Sequence, residues 1–128
     1  MNLPSTVRLE RRLTQADFDR FARLSGDANP IHIDPRFAAE TRFGRTVAHG
    51  LLLVSVLRGL IEQLAPGARL DSHEVVFPAP TFADELMSFS AGFDGNDGND
   101  AHGKEIRLEV ARVADGTVTC QGTARIRP

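Results

Sequence analysis

The segment Gly50–Leu64, which reads GLLLVSVLRGLIEQL, decides the fold. Nine of its residues are Leu, Val or Ile, and they leave almost no polar face. Arg58 and Glu62 stand four residues apart on the polar stripe that remains, where they can pair. A helix that is apolar nearly all round is buried on most of its sides, so it needs a large surface wrapped around it. The Pro66-Gly67 pair ends the helix.

After this helix the sequence changes to a period of two, in which apolar and polar residues alternate. Alternation with one apolar face predicts antiparallel strands packed on one side. The predicted strands are a short one around Val7–Leu13, the alternating residues of Val75–Ala79, and the runs Leu86–Phe93, Ile106–Val110 and Val118–Ile126. In the last strand, Thr119 and the polar residues in phase with it are expected to face away from the core. Between the last two runs, Asp115-Gly116 is a strong hairpin signal.

The first third of the chain carries helix signals instead. Thr14 is typical of an N-cap, Asp17 lies at the third helical position, and Gly26 ends the predicted helix. The residues Ser25–Ile33 are rich in Gly, Asp, Asn and Pro, which predicts an irregular loop. An Asp-Pro pair then begins a second, short helix, Pro35–Thr41.

One architecture satisfies both halves of the chain. A strongly twisted antiparallel sheet can curl round one long buried helix, and each then covers the apolar surface of the other. A chain of 128 residues is long enough to bury such a core as one domain. We therefore predict an α+β fold, a single domain over residues 1–128 with an antiparallel sheet wrapped around a long central helix.

Composition excludes several functional classes. The formal net charge is -2 and there is no Trp or Tyr, so neither nucleic acid nor an anionic membrane is an expected partner. One cysteine, Cys120, excludes an intrachain disulfide and a CxxC metal site, and its phase favours a small buried hydrophobic residue. No apolar leader is seen, and the apolar run Leu51–Leu57 is too short to span a membrane. We expect a cytoplasmic protein.

The polar stretch Asp94–Gly103 fits no EF-hand pattern and is predicted to be a hairpin tip.

The loop SGDANPIHID, which begins at Ser25, carries the first candidate site. It places a carboxylate, Asp27, and an imidazole, His32, five residues apart on backbone that Gly26 and Pro30 shape. Such a pair can take one proton and give another, which general acid–base catalysis requires. The alternative is that the acidic residue only caps a turn and that the histidine is a surface residue.

The second candidate element, VAHG, ends at Gly50, where the apolar helix begins. A helix N-terminus offers free N–H groups and the positive end of the helix dipole. Because glycine leaves its amide unshielded, a carbonyl oxygen can approach it closely and be polarised. The alternative is a helix start with no ligand.

Together these elements resemble a known family. The string SGDANPIHID, the Phe37-Ala38 pair after it, and VAHGLLLVSVL are similar to the MaoC-like (R)-specific enoyl-CoA hydratases. The resemblance is strong over Phe21–Leu60 and weaker over Val7–Ile126. It implies a hot-dog fold, an antiparallel sheet around a central helix, and a homodimer whose sheets join edge to edge with sites near the interface.

The resemblance also implies residue roles. Asp27 and His32 would bind and activate a water molecule, Asn29 would support them, and the N–H of Gly50 would meet the thioester oxygen. The implied reaction is reversible syn hydration of a trans-2-enoyl-CoA, or an acyl-carrier thioester, to the (R)-3-hydroxyacyl product. It requires no metal and no cofactor other than the coenzyme A of the substrate. Which residue of the pair donates the proton stays open, because such a pair titrates as a unit.

Some residues depart from the family pattern or carry two readings. Ala83 precedes Asp84 where the family commonly has a Gly-Asp pair, which leaves the shape of the acyl pocket open. Arg58 could shorten or polarise an acyl tunnel, or extend to solvent and pair with Glu62. Three arginines could meet the phosphates of coenzyme A or lie in solvent, namely Arg36, Arg42 and Arg45. His49, next to Gly50, is interpreted as a structural residue that could shape the loop or the mouth of the site.

Two other functions compete with the hydratase. A thioesterase of the same fold would use a carboxylate to activate water against the carbonyl carbon, although such enzymes generally lack the paired histidine. A non-catalytic acyl-binding subunit would bind thioesters without turnover. The remaining histidines, His73 and His102, have no ligand-like spacing.

Overall fold

The computed structural model describes residues 5–94 and 103–127, in which five strands and four helices are seen. The strands are β1 (Thr6–Arg12), β2 (Arg69–Val76), β3 (Leu86–Phe93), β4 (Lys104–Arg112) and β5 (Val118–Arg127), and the helices are α1 (Gln15–Ser25), α2 (Pro30–Ile33), α3 (Pro35–Ala39) and α4 (Gly50–Leu64). Most of the predicted hairpin tip, together with His102, lies outside the described residues.

All five strands form one antiparallel sheet in the order β1-β3-β4-β5-β2. Phe89 of β3 lies opposite Val110 of β4, which in turn lies opposite Cys120 of β5, and all three are fully buried. The predicted hairpin between β4 and β5 is confirmed, with Gly116 in the left-handed conformation at a φ of 75°. Only glycine adopts that conformation without steric cost, so the Asp-Gly signal works as expected.

The central helix α4 packs against β3, β1 and β4. Its inward face is apolar throughout and joins the core of the sheet through Leu53, Leu57, Leu60, Ile61 and Leu64. The helix is therefore buried as predicted on the side that meets the sheet. Its first turn differs, because the Leu51 side chain is 65% exposed. None of the helices in the described part of the chain has the length and apolar character needed to cross a membrane.

The helix α1 begins and ends as the sequence predicts. The hydroxyl of Thr14 accepts a hydrogen bond from the N–H of Asp17, and the Asp17 carboxylate accepts one from the N–H of Thr14, which completes a capping box. Gly26 closes the helix at a φ of 82°. This cap turns the chain sharply, so Asp27 follows directly at the helix end.

Three local predictions were wrong. The loop expected over residues 25–33 contains the short helix α2, because Asn29 caps it and Pro30 already holds a helical φ at its first position. The helix α3 ends at Ala39 rather than Thr41. The second strand begins at Arg69 and ends before Phe77, because β2 pairs with β5 through the main chain while most of its side chains stay exposed.

Thr119 is also buried, although its phase in β5 predicts an outward position. Its hydroxyl accepts a hydrogen bond from the Thr81 hydroxyl at 2.8 Å, so the segment that leads into β3 covers it. The buried hydroxyl is thereby satisfied. The burial of Cys120 next to it is confirmed, and burial raises the pKa of its thiol to about 11.

Three arginine side chains, two from the sheet and one from the loop before α4, donate to carbonyl groups of the segment before β3. The three bonds are Arg112 Nη2 to Pro80 O at 3.3 Å, Arg45 Nη2 to Ala83 O at 3.3 Å, and Arg12 Nη1 to Asp84 O at 2.9 Å. Asp84 adopts a positive φ of 68°, the strained position in the stretch where the family pattern has a Gly-Asp pair. Although burial opposes it, hydrogen bonds to Asp115 and Glu85 raise the pKa of Arg112, so this anchor stays charged.

Candidate active site

Asp27 is held in place by three hydrogen bonds. Its N–H donates to Ser25 Oγ at 3.1 Å, and its Oδ1 accepts from the N–H of Asn29 at 3.3 Å. Its carbonyl oxygen accepts from His49 Nε2 at 2.9 Å. The second carboxylate oxygen, Oδ2, is left to face His32, and the side chain is 56% exposed. Asp27 therefore offers a fixed carboxylate that solvent or a ligand can reach.

His32 lies on α2 and is largely buried, with 16% of its side chain exposed. Its Nδ1 lies 2.7 Å from the carbonyl oxygen of Val47. Because a carbonyl only accepts, the neutral ring must carry its hydrogen on Nδ1, which leaves a bare lone pair on Nε2. The backbone is fixed as well, since Gln15 Nε2 donates to the carbonyl oxygen of His32 at 2.9 Å.

The structure brings these two side chains together, and we call them the dyad. His32 Nε2 lies 3.7 Å from Asp27 Oδ2. That separation is too long for a direct hydrogen bond. Both atoms are thus free to bind a third group, and a carboxylate facing an imidazole lone pair suits the sharing of a transferable proton.

Asn29 supports this loop in two ways. Its Oδ1 accepts from the N–H of Ile31 at 3.1 Å and so caps α2, the helix that carries His32. Its N–H fixes Oδ1 of Asp27, as described above. Asn29 therefore connects the carboxylate of Asp27 to the helix that carries His32.

His49 lies against the dyad and is 3% exposed. Its ring stacks on that of His32, with centroids 3.8 Å apart and planes 24° apart, and Phe21 of α1 contacts it edge-on at 4.9 Å. Together with Asp27 and His32 it forms a group whose ligand atoms lie within 4.8 Å of one another. Stacked rings direct their lone pairs along nearly parallel planes, which does not suit two ligands of one tetrahedral ion. The arrangement favours proton chemistry over metal binding.

Gly50 is the first residue of α4, as predicted, and His49 provides no side-chain cap. Within the described ranges the N–H of Gly50 has no hydrogen-bond partner. The ring of Phe77 packs over this glycine so closely that an added Cβ would lie 2.7 Å from its Cζ atom. A cavity of about 490 Å³ opens here, lined by Gly50, Leu53, Phe77 and Thr119 among others. A residue with an unbonded amide therefore borders a space that a ligand can enter.

A second cavity, of about 470 Å³, lies on the α1 side of the central helix. The residues that line it include Phe21, Leu52, Arg11 and Arg20. Neither Asp27 nor His32 lines either cavity. The two spaces instead border the dyad through its neighbours, since Gly50 adjoins His49 in the chain and Phe21 contacts the His49 ring.

Comparison with known proteins shows which family the chain belongs to. The family model of the MaoC like domain matches residues 3–117. The chain belongs to the MaoC-like domain family. An (R)-specific enoyl-CoA hydratase of Aeromonas caviae is 50% identical over 61 residues, which cover 48% of this chain and 46% of the relative. A 3-hydroxybutyryl-CoA dehydratase of Methylorubrum extorquens is 36% identical over 107 residues, 82% of this chain and 57% of the relative. This MaoC-like chain thus spans about half the length of the curated relatives it matches.

Solved structures share the architecture. An (R)-hydratase from A. caviae involved in PHA biosynthesis superposes with a TM-score of 0.88 at 29% identity, over 99% of this chain and 96% of that one. The predicted hot-dog fold is thereby confirmed for this MaoC-like domain.

The predicted arginine cluster does not converge on one point. Arg45 Nη2 lies 3.9 Å from Glu85 Oε2, and its guanidinium lies over the Phe82 ring at 4.6 Å. The guanidinium of Arg42 lies over the Phe43 ring at 4.9 Å, at the rim of the cavity next to Gly50. Arg36 is exposed on α3. Of the three, Arg42 is the one that borders a cavity near the site.

The structure also shows where two other residues from the sequence analysis lie. Arg58 Nη1 lies 3.8 Å from Glu62 Oε2 with both side chains partly exposed, so of its two predicted roles Arg58 has the surface ion pair. His73 is exposed on the edge strand β2.

Sequence reasoning missed two contributors to the site. Phe21 follows the helical spacing of α1, which predicts packing rather than a place in the site, and the carbonyl of Val47 has no side-chain signal at all. The one available hint was the position of His49, which directly precedes the glycine that opens the central helix.

Proposed function

We propose that this MaoC-like domain catalyses the reversible hydration of trans-2-enoyl-CoA to (R)-3-hydroxyacyl-CoA, with Asp27 and His32 as the proton-transfer groups. The observation that carries the proposal is the His32 Nε2 lone pair facing Asp27 Oδ2 at 3.7 Å, with both residues fixed by backbone hydrogen bonds. Relatives that are named enoyl-CoA hydratase and 3-hydroxybutyryl-CoA dehydratase support this reaction class.

The proposed chemistry balances with one proton held by the dyad. The member without the proton takes one from water as the oxygen bonds to C3 of the enoyl group. The other member gives its proton to C2, so the dyad ends with one proton again. Dehydration runs the same steps backwards. The two residues share the proton as a coupled pair, and the assignment of acid and base between them stays open.

Gly50 is proposed to bind the thioester carbonyl oxygen. Addition at C3 requires that the carbonyl draw electron density out of the double bond, and negative charge then develops on its oxygen. A free N–H at the positive end of α4 stabilises such charge, and one donor of this kind is worth about 10²–10³ in rate. The uncapped N–H beside a cavity supports this role.

We propose no metal or redox cofactor, because the reaction as written consumes only water and the thioester. Coenzyme A enters as part of the substrate. Arg42 is the arginine best placed to meet its phosphates, because it borders the cavity at Gly50. Cytoplasmic location stays a prediction from the sequence.

A panel of trans-2-enoyl-CoA substrates of increasing acyl length tests the function. We expect loss of the enoyl absorbance without release of free thiol, and a product that an (R)-specific, but not an (S)-specific, 3-hydroxyacyl-CoA dehydrogenase oxidises. Thiol release detected with a colorimetric reagent would instead indicate a thioesterase. Tight binding with neither change would indicate an acyl-binding subunit. The protein adds little background to the thiol assay, since Cys120 is buried.

We further propose that the active form is a homodimer. The first turn of α4 exposes Leu51, and Phe77, which packs on Gly50, is 46% exposed, so an apolar surface lies open beside the site. Sedimentation equilibrium should give twice the chain mass of 14.0 kDa. Leu51→Asp should shift the mass towards the monomer, whereas Val113→Asp, at a similarly exposed residue, should not. A monomeric wild-type protein would contradict the proposal.

A further inference from the structure

His49 makes three contacts that converge on the dyad. Its Nε2 donates to the carbonyl oxygen of Asp27 at 2.9 Å, and its ring stacks on His32 at 3.8 Å. Phe21 of α1 contacts the same ring edge-on, with centroids 4.9 Å apart. One buried side chain therefore touches the backbone of one dyad member and the ring of the other.

The other nitrogen of His49 shows why a histidine stands here. Its Nδ1 is buried and has no hydrogen-bond partner among residues 5–94 and 103–127. A buried polar atom left unpaired costs stability, and native structures contain few of them. A phenylalanine would stack on His32 without that cost. What it would lack is the N–H that holds the Asp27 carbonyl, so this bond is what distinguishes the histidine from an aromatic hydrocarbon.

The hydrogen bond from His49 Nε2 to the carbonyl oxygen of Asp27 also affects the distance between the two dyad side chains. Asp27 lies just beyond the left-handed Gly26 cap. Within the described part of the chain its other hydrogen bonds are local, from its N–H to Ser25 Oγ and from the N–H of Asn29 to its Oδ1. His49 connects this loop to the start of α4, 22 residues away in the chain. It thereby sets where Oδ2 lies relative to the ring of His32, on which the same side chain stacks.

We propose that His49 is a positioning residue, which holds the Asp27 carboxylate and the His32 ring at the separation needed to share one water molecule. The inference rests on the proposed hydration and adds to it a residue that does not itself exchange a proton. Misplacing a reacting group by about 1 Å can cost about 10²-fold in rate, so the expected effect of losing His49 is of that size.

Three variants of His49 test the contribution of its N–H donor and that of its aromatic ring separately. His49→Phe keeps a stacking ring and loses the donor, His49→Gln keeps an N–H at the same bond count from the backbone and loses the ring, and His49→Ala loses both. Hydration of crotonyl-CoA gives kcat and KM for each, with His73→Phe on exposed β2 as the control. We expect kcat to fall by about 10²-fold in His49→Phe and His49→Ala with KM changed less than about threefold, and to recover at least tenfold in His49→Gln.

A second readout does not depend on activity. The ring nitrogen resonances of His32 report its tautomer, and the wild type should show hydrogen on Nδ1, as the bond to Val47 requires. In His49→Ala the ring of His32 loses its stacking partner and is no longer held against the carbonyl of Val47, so a mixture of tautomers is expected. An unchanged kcat in His49→Phe, no recovery in His49→Gln, or an unchanged His32 tautomer in His49→Ala overturns the inference. If the wild type hydrates no enoyl-CoA, the proposed function fails, and the tautomer measurement still decides whether His49 positions His32.

Discussion

Replacing Asp27 with asparagine is expected to lower kcat for crotonyl-CoA hydration by about 10³-fold while the fold stays intact. General acid–base catalysis typically contributes 10²–10⁴ in rate, and the amide cannot take a proton from water or give one to C2. The substitution conserves size, and the amide oxygen can still accept from the N–H of Asn29. The loop should therefore keep its shape, so that the loss reports chemistry rather than folding.

The chain supplies a matched control in the same loop. Asp34 is also an exposed aspartate, but its Oδ1 only caps α3 by accepting from the N–H groups of Arg36 and Phe37. Asparagine is an equally good cap, so Asp34→Asn should retain kcat within about twofold. Circular dichroism and thermal unfolding of both variants check the fold. Normal hydration by Asp27→Asn would remove the carboxylate from the mechanism.

The features that sequence predicted well are those that neighbouring residues decide. The capping box at Thr14, the left-handed Gly26 and the Asp115-Gly116 turn each depend on a few adjacent side chains. The central helix belongs to the same class, because its apolar content requires burial whatever surrounds it. The α+β architecture followed from packing that helix against alternating strands, and the sheet order confirms it.

Two of the errors arose where distant parts of the chain override the local pattern. The strand β2 has few buried side chains, so alternation could not locate it, and only its main-chain pairing with β5 defines Arg69–Val76. Thr119 looked outward by phase, but the segment containing Thr81 folds over it. The helix α2 was hidden because four residues are too few to show a helical period.

In the candidate site, too, the sequence predicted the residues that lie close together in the chain and missed the groups that come from further away. Asp27 and His32 were proposed as a pair because they lie five residues apart on one shaped loop, and the structure places their side chains 3.7 Å apart. The groups that fix them come from 15 and 22 residues further on, namely the carbonyl of Val47 and the ring of His49. A backbone carbonyl is present at every residue, so no sequence pattern could identify the one that selects the His32 tautomer.

His32→Asn is expected to lower kcat for the same reaction by about 10³-fold. The asparagine amide can place an N–H close to where Nδ1 lies, and so can still donate to the carbonyl of Val47. It has no atom at the place of Nε2, so the lone pair that faces Asp27 is lost. The backbone of this residue is held independently of its ring, because its carbonyl oxygen accepts from Gln15 Nε2 and its N–H donates to the carbonyl oxygen of Asn29, so α2 should persist.

Combining Asp27→Asn with His32→Asn distinguishes a pair that acts as a unit from two independent contributors. If the dyad shares one proton, removing either member already abolishes the transfer, and the double variant should be no more than about tenfold slower than the single ones. Independent groups would multiply their losses to about 10⁶-fold, which is the product of two effects of the size expected for general acid–base catalysis. His73→Asn, at an exposed histidine on the sheet edge, should retain wild-type kcat. A multiplicative loss would show that the 3.7 Å approach of the two side chains does not serve a shared proton.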